Sequence, residues 1–128
     1  MKASILIAED DLDFQGFLTE FLTGEGYKVI TANTTAQALG RLILNNIDII
    51  ITDIQIPEYK EGIQFIMQVK SLFPSLAIIS MSGNQGANDL FEKEYIQLIK
   101  LAKSNTFLQK PFPPRELLRC IENGAKNV

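Results

Sequence analysis

Carboxylates end an apolar run near the start of the chain. Residues Ile5–Ala8 are followed at once by Glu9, Asp10 and Asp11, and a later apolar run ends at Asp53. Adjacent acids repel one another, so this arrangement indicates that a cation compensates their charge. Hard oxygen ligands of this kind suit Mg²⁺, which is bound through a few carboxylates while it keeps waters and phosphate oxygens.

A lysine and a serine supply complementary groups for a phosphoryl ligand. Lys110 offers a point charge and Ser82 a hydroxyl donor, and backbone amides close to Asp53 and Ser82 would complete an anion site. The sequence has no glycine loop of the kind that binds nucleotide phosphates. We therefore expect a phosphoryl group carried covalently on a carboxylate, which is an established nucleophile.

Five short apolar runs predict the strands that position these residues. The predicted strands are Ser4–Ala8, Tyr27–Thr31, Ile47–Thr52, Leu76–Met81 and Thr106–Leu108. The first, third and fourth are apolar on consecutive residues, which is typical of parallel strands covered on both faces. The runs are too short to favour the alternative of buried helix segments.

Five helices are predicted between and after these strands from apolar residues at helical spacing. The first two carry Phe14, Phe17, Leu18 and Phe21, and then Ala38, Leu39, Leu42 and Ile43 behind a Thr34 cap. The third carries Ile63, Ile66, Val69 and Lys70 and ends before Pro74, and the last two cover Leu90 to Ala102 and Arg115 to Asn123.

The polar residues all follow strands at one edge of the predicted sheet. Open α/β sheets bind ligands at the carboxyl edge where strand order reverses, which lies between strands 1 and 3 in the order 2-1-3-4-5. Glu9, Asp10 and Asp53 would therefore converge. The alternative for Glu9 and Asp10 is a helix-start role, which Asp11 or Asp13 could fill equally well.

Composition excludes several classes of protein. A chain of 128 residues predicts one domain, and the absence of histidine excludes Ser-His-Asp hydrolysis and the usual zinc sites. A single cysteine, Cys120, allows no intramolecular disulfide. The start lacks a signal peptide and no segment nears the ~20 apolar residues of a membrane helix, so we expect a cytoplasmic protein. A net charge of -3 without a basic stripe argues against direct nucleic-acid binding.

Taken together, the four motifs resemble the receiver domain of two-component response regulators over the whole chain. In receivers an acidic pair follows strand 1, as Glu9 and Asp10 do, and an aspartate ends strand 3, as in "IITDIQIP". A Ser or Thr ends strand 4, as in "ISMSG", and a Lys-Pro pair follows strand 5, as in "FLQKPF". The resemblance implies a single receiver domain over residues 1–128. Its α/β fold would be flavodoxin-like, a doubly wound five-stranded parallel sheet in the order 2-1-3-4-5 with five helices.

The resemblance also implies a role for each matching residue. Asp53 would be phosphorylated with the help of Lys110 and Ser82, and the Lys110–Pro111 peptide bond would be cis. Mg²⁺ would be bound directly by Asp10 and Asp53, partly through water by Glu9, and by the carbonyl of Gln55. The remaining implied roles are phosphate-binding backbone amides at Ile54, Gln55 and Gly83, and an aromatic switch at Phe107 that follows the Ser82 hydroxyl. Without the resemblance, Ser82 would be a plain turn residue and Phe107 a half-buried strand aromatic.

The expected function is a phosphorylation-controlled signalling switch. A histidine kinase or a histidine phosphotransfer protein would donate the phosphoryl group to Asp53, and a downstream protein partner would respond. The chain would catalyse only its own phosphorylation and dephosphorylation. One alternative is a receiver excised from a larger DNA-binding regulator or hybrid kinase, and another is an unphosphorylated pseudo-receiver that acts as a docking module. A haloacid-dehalogenase-like phosphatase is disfavoured because Gln55 stands where that family has a second aspartate.

Two segments depart from the receiver pattern. Gly62 lies five residues after Pro57, which is one more than usual, and the stretch between Ser82 and Phe107 is longer than usual. Apolar residues within 90–101, rimmed by charged ones, predict a partner site on that longer stretch. The alternative is that a longer helix simply covers more of the sheet.

Overall fold

The computed structural model describes residues 2–83 and 106–126. The strands are β1 (Ser4–Ala8), β2 (Lys28–Ala32), β3 (Ile49–Asp53), β4 (Ala77–Ser82) and β5 (Thr106–Gln109). The helices within these residues are α1 (Leu12–Gly24), α2 (Thr35–Leu44), α3 (Tyr59–Leu72) and α4 (Pro114–Lys126). The predicted helix over 90–102, and with it the predicted partner site, lies outside the described residues.

All five strands form one parallel sheet in the order β2-β1-β3-β4-β5. The predicted α/β fold and strand order are therefore confirmed. Ala8 pairs with Thr52 across β1 and β3, and Asp53 pairs with Met81 across β3 and β4. The carboxyl ends of the three central strands therefore lie side by side, which is the edge where the predicted site residues follow.

Each face of the sheet packs on its own hydrophobic cluster. Leu6, Ile50 and Ile78 point into one cluster, where α2 and α3 contribute Leu42 and Ile66. On the other face the alternate strand residues Ile5, Ile7, Ile49, Ile51 and Ile79 meet Leu18 and Leu22 of α1 and Leu117 and Ile121 of α4. Every residue of β3 and β4 is buried, so apolar residues follow one another in these strands without alternation before polar residues end them.

Side-chain caps fix where the first two helices begin. The Asp11 carboxylate accepts the backbone amides of Asp13 and Phe14, so Asp11 caps α1. The predicted Thr34 cap of α2 is confirmed, because its hydroxyl accepts the amide of Gln37 at 3.1 Å. Since Asp11 fills the cap, Glu9 and Asp10 are not needed for a helix start.

Two residues on the predicted apolar helix faces are largely exposed. Phe17 is 49% exposed and Ile43 is 66% exposed, whereas Leu22, which the helical pattern did not include, is fully buried. Periodicity marks the apolar side of a helix, but the packing of neighbouring elements decides how much of that side is covered. Among residues 2–83 and 106–126, no helix is long and apolar enough to cross a membrane.

Candidate functional site

Two carboxylates are buried at the carboxyl edge of the central strands. Asp53 is the last residue of β3 and is 6% exposed, and Glu9 directly follows β1 and is fully buried. Both strands are covered on both faces, so a residue at the end of either strand is largely shielded from solvent. Burial of a carboxylate is costly unless it is paired, which makes these two acids candidates for function.

The Lys110 side chain bridges the two acids. Its Nζ lies 2.7 Å from Glu9 Oε1 and 2.7 Å from Asp53 Oδ2, and the lysine side chain is 20% exposed. Its backbone N–H donates to the Ser82 carbonyl at 2.7 Å, which continues the pairing of β5 with β4 for one more residue. The strand ladder thus positions the lysine backbone, and its long side chain reaches across the edge to β3 and β1.

One ammonium therefore serves two buried carboxylates. Burial is the main cause that raises the pKa of Glu9 to about 7; the hydrogen bond from Lys110 lowers this pKa, and the charge of Asp53 raises it. For Lys110, burial lowers the pKa, but the hydrogen bonds to Asp53 and Glu9 outweigh burial and the pKa is raised. The pair of acids thus remains short of positive charge, and a second cation would be favourable here.

The neighbouring backbone further constrains the acids. The Asp10 side chain is exposed, and its backbone N–H donates to Glu9 Oε2 at 3.1 Å. The Gln55 N–H donates to Asp53 Oδ1 at 2.8 Å, so this predicted phosphate-binding amide lies at the carboxylate. The Ile54 N–H donates to the Met81 carbonyl, so its single donor is already used in this arrangement. The phosphate role of Ile54 stays a prediction.

The predicted hydroxyl and switch residues lie on β4 and β5. Ser82 is the last residue of β4 and is fully buried, and its Oγ donates to the Gly83 carbonyl at 3.2 Å. Phe107 is half-buried on β5 and packs against the cluster that contains Ile78. Ser82 lies on the strand next to that of Asp53, and Phe107 lies one strand further away. Their roles in signalling stay predictions.

The donor chemistry of the site fits Mg²⁺. Within the described part of the chain, no three His, Cys, Asp or Glu side chains are close enough together to bind a metal as a cluster. Mg²⁺ does not need such a cluster, because it is usually bound by one or two carboxylates and several waters. Among the described residues, buried Asp53 and Glu9 share a single ammonium, and the exposed Asp10 carboxylate directly follows Glu9. The ligands available there are hard oxygens, and their negative charge exceeds the positive charge of Lys110.

Two residues that contact the site were not identified from the sequence. Gln15 on α1 donates through Nε2 to the carbonyls of Glu9 and Ala32 and to Asn33 Oδ1, which ties the ends of β1 and β2 together. The Phe14 ring centre lies 4.4 Å from Lys110 Nζ. The helical pattern marked Phe14 only as part of an apolar helix face, and no spacing rule marks Gln15.

The loop after β3 approaches α3 closely at Gly62. A Cβ placed on Gly62 would lie 1.8 Å from the Ile54 carbonyl oxygen, so only glycine fits there. The extra residue that precedes Gly62 in the sequence is thus accommodated with Gly62 against the backbone of the residue after Asp53. The Lys110–Pro111 bond is cis, as the resemblance implied, and the Ile56–Pro57 bond is also cis.

The fold and the motifs define a member of the two-component signalling proteins. The sequence profile of the response regulator receiver domain family matches residues 5–122, so the chain belongs to that family. Receivers are signalling switches, and the four predicted motifs lie within the matched range.

Relatives and solved structures agree with this assignment. The chain is 32% identical over 119 residues to the uncharacterized transcriptional regulatory protein YbdJ of Bacillus subtilis, which covers 93% of this chain and 49% of that protein. It is 33% identical over 128 residues to the DNA-binding transcriptional regulator NtrC of Azospirillum brasilense, covering 98% of this chain and 24% of the relative. The chain thus spans half or less of the length of these relatives. A CheY-like receiver domain structure from Methanospirillum hungatei shares the fold with a TM-score of 0.86 at 24% identity, over 98% of this chain and 95% of that one.

Proposed function

We propose that this domain is a phosphorylation-activated switch that accepts a phosphoryl group on Asp53. A histidine kinase or a histidine phosphotransfer protein is the donor. The observation that supports this proposal most directly is the Lys110 ammonium, which lies 2.7 Å from an oxygen of the nearly buried Asp53 and 2.7 Å from Glu9. A carboxylate held at a sheet edge beside a fixed cation is suited to attack phosphorus.

In the proposed transfer, an Asp53 oxygen forms a bond to the phosphorus of phosphohistidine while the bond from phosphorus to nitrogen breaks. The electron pair of that bond leaves with the imidazole of the donor. Charge on the phosphoryl oxygens spreads in the transition state, and the Lys110 ammonium stabilises it from a position already set by the ion pairs. The Gln55 amide holds the other carboxylate oxygen and so orients the nucleophile.

Mg²⁺ is the proposed cofactor. Glu9, Asp10, Asp53 and the carbonyl of Gln55 would hold it, and when bound it would supply positive charge opposite the transferring phosphoryl oxygens. The raised pKa of Glu9 supports this assignment, because burial and the nearby Asp53 charge disfavour a second negative charge at the site.

The product would be read by protein contacts. We propose that the Ser82 hydroxyl turns from the Gly83 carbonyl toward a phosphoryl oxygen, and that the half-buried Phe107 follows. A downstream protein would bind the changed surface. The domain would catalyse no reaction other than its own phosphorylation and dephosphorylation.

Incubation with acetyl phosphate and Mg²⁺ tests the proposal. Intact-protein mass spectrometry should show a single added phosphoryl group on the parent and none on Asp53→Asn. Asp13→Asn is the matched control, because Asp13 is an exposed aspartate in the first turn of α1 and should leave labelling unchanged. No label on the parent would instead support a docking module, and rapid release of phosphate without stable label would support a phosphatase.

A second proposal concerns what the switch controls. The relatives named above include a transcriptional regulatory protein and a DNA-binding transcriptional regulator, and this chain spans only 49% and 24% of them. We therefore propose that this receiver controls a DNA-binding segment. The complete reading frame tests this, because a DNA-binding region encoded with the receiver would support it. A reading frame without one would favour a separate protein partner.

A further inference from the structure

The environment of the Lys110 ammonium includes an aromatic ring as well as two acids. Lys110 Nζ lies 2.7 Å from Glu9 Oε1 and Asp53 Oδ2, and the centre of the Phe14 ring is 4.4 Å away. A lysine ammonium has three N–H donors, and the two carboxylates accept hydrogen bonds from it. The ring is close enough for a cation–π contact, since the face of an aromatic ring attracts a cation within about 6 Å.

The Phe14 ring is itself held in place by another aromatic side chain. The Phe112 ring meets it at 6.0 Å between centroids with an interplanar angle of 80°, which is an edge-to-face contact. The Phe17 ring also stacks on it, at 6.4 Å with an angle of 26°, but Phe17 is half exposed and therefore constrains the Phe14 ring less. Phe112 follows Lys110 by two residues, so the segment that carries the lysine also supports the ring that contacts it.

From this geometry we infer that Phe14 is a positioning residue for Lys110 in phosphoryl transfer to Asp53. The inference rests on the proposed function above. A lysine side chain has four rotatable bonds and loses much rotamer freedom when it is fixed. The ring restricts that freedom, and it attracts the ammonium without presenting a strong hydrogen-bond acceptor. An acid or an amide at this position would instead compete with phosphoryl oxygens for the lysine donors.

The test compares three variants with the parent. Phe14→Leu keeps an apolar side chain but removes the ring, Phe14→Tyr restores a ring, and Phe17→Leu removes a neighbouring ring that contacts Phe14 and is half exposed. We expect acetyl phosphate with Mg²⁺ to label Phe14→Leu about threefold to tenfold more slowly than the parent, which is the scale of a partly buried cation–π contact. Phe14→Tyr and Phe17→Leu should be labelled within about twofold of the parent.

Nuclear magnetic resonance supplies a readout that a general loss of stability would not change. The Lys110 side-chain protons next to Nζ should be shifted upfield by the Phe14 ring in the parent and in Phe14→Tyr. In Phe14→Leu their chemical shifts should return toward ordinary lysine values, while the rest of the spectrum remains that of a folded protein.

The outcomes separate this inference from the proposed function. A labelled parent with Phe14→Leu labelled at the same rate overturns the positioning role alone. Equal slowing by Phe14→Leu and Phe17→Leu, or no rescue by Phe14→Tyr, also overturns it, because the effect would then be general packing. A parent that takes no label overturns the proposed function and the inference together.

Discussion

The carboxyl edge of the sheet contains two buried carboxylates, whereas charged side chains at the amino edge lie in solvent. At the carboxyl edge Glu9 is fully buried, Asp53 is nearly so, and one lysine is paired with both. At the amino edge Asp48 and Lys28 are exposed, and the Asp48 carboxylate accepts a hydrogen bond from the Ser4 amide at 2.8 Å. The two edges of the same sheet thus differ in how deeply their carboxylates are buried.

The amino edge also carries a surface groove, and ligands usually bind in concave surfaces of this kind. A groove of about 460 Å³ lies between the loops after α2 and α3, lined by residues that include Leu42, Asn45, Asp48 and Leu72. No residue that lines this groove is both charged and buried. Burial of unlike charges costs several kcal/mol per ion before pairing, so such an arrangement is a stronger indication of function than concavity.

Replacement of Lys110 should give the largest difference between the two edges. Lys110→Met leaves two buried carboxylates without their cation, and we expect the free energy of unfolding to fall by about 3 kcal/mol at pH 8 without metal. Lys28→Met, at the exposed start of β2, should change it by less than about 0.5 kcal/mol. Urea denaturation of both variants measures this. Similar losses for the two lysines would show that the carboxyl edge is not electrostatically special.

The sequence predicted this contrast only in part. Apolar runs that end in Glu9, Asp53 and Lys110 predicted their meeting at one edge, because parallel strands end together. The depth of burial and the shared ammonium depend on which helix and loop atoms cover the edge, and strand periodicity carries no such information. For the same reason Phe14 and Gln15 were missed, since each contacts the site from a helix across to another element.

Helix faces were predicted less well than strand ends. The β1 bounds agree with the prediction, and the other strands differ by one or two residues. On α1, however, Phe17 lies at the rim and Leu22 in the core. Phe17 stacks between Phe14 and Phe21, so an apolar residue at helical spacing can be satisfied by ring contacts without entering the core. Local spacing does not distinguish these two outcomes.

A pH series on Glu9→Gln sharpens the comparison at one residue. The pKa of Glu9 is raised from an ordinary 4.5 to about 7, so between these values the folded protein retains a proton that the unfolded chain has released. The contribution of Glu9 to stability is therefore fully present below pH 4.5 and is lost as pH rises through 7. Relative to the parent, Glu9→Gln should gain on the order of 2 to 3 kcal/mol between pH 4.5 and 7.5 in metal-free buffer.

Asp48→Asn is the control for that series. It removes one carboxylate from the exposed amino edge, and its stability relative to the parent should change little over the same pH range. The measurement is the free energy of unfolding from urea titrations at each pH. A constant difference between Glu9→Gln and the parent would mean that the buried acid does not titrate in this range.

The smallest expected effect tests whether the carboxyl edge is also sterically tight. A Cβ on Gly62 would lie 1.8 Å from the Ile54 carbonyl oxygen, and Ile54 directly follows Asp53. Gly62→Ala must therefore displace backbone, and we expect it to lower the free energy of unfolding by about 2 kcal/mol.

Gly40→Ala is the matched control, since a Cβ on Gly40 in α2 meets nothing within 4 Å. That variant should gain about 0.5 to 1 kcal/mol, because alanine is the better helix residue. Thermal denaturation measures both variants, and a loss of stability for Gly62→Ala with a gain for Gly40→Ala would locate the tight packing at the loop after Asp53. If acetyl phosphate labels Gly62→Ala more slowly but not Gly40→Ala, the packing also sets the position of the nucleophile. A gain in stability for both variants would instead show that the loop yields easily and that the carboxyl edge differs from the amino edge in its charges alone.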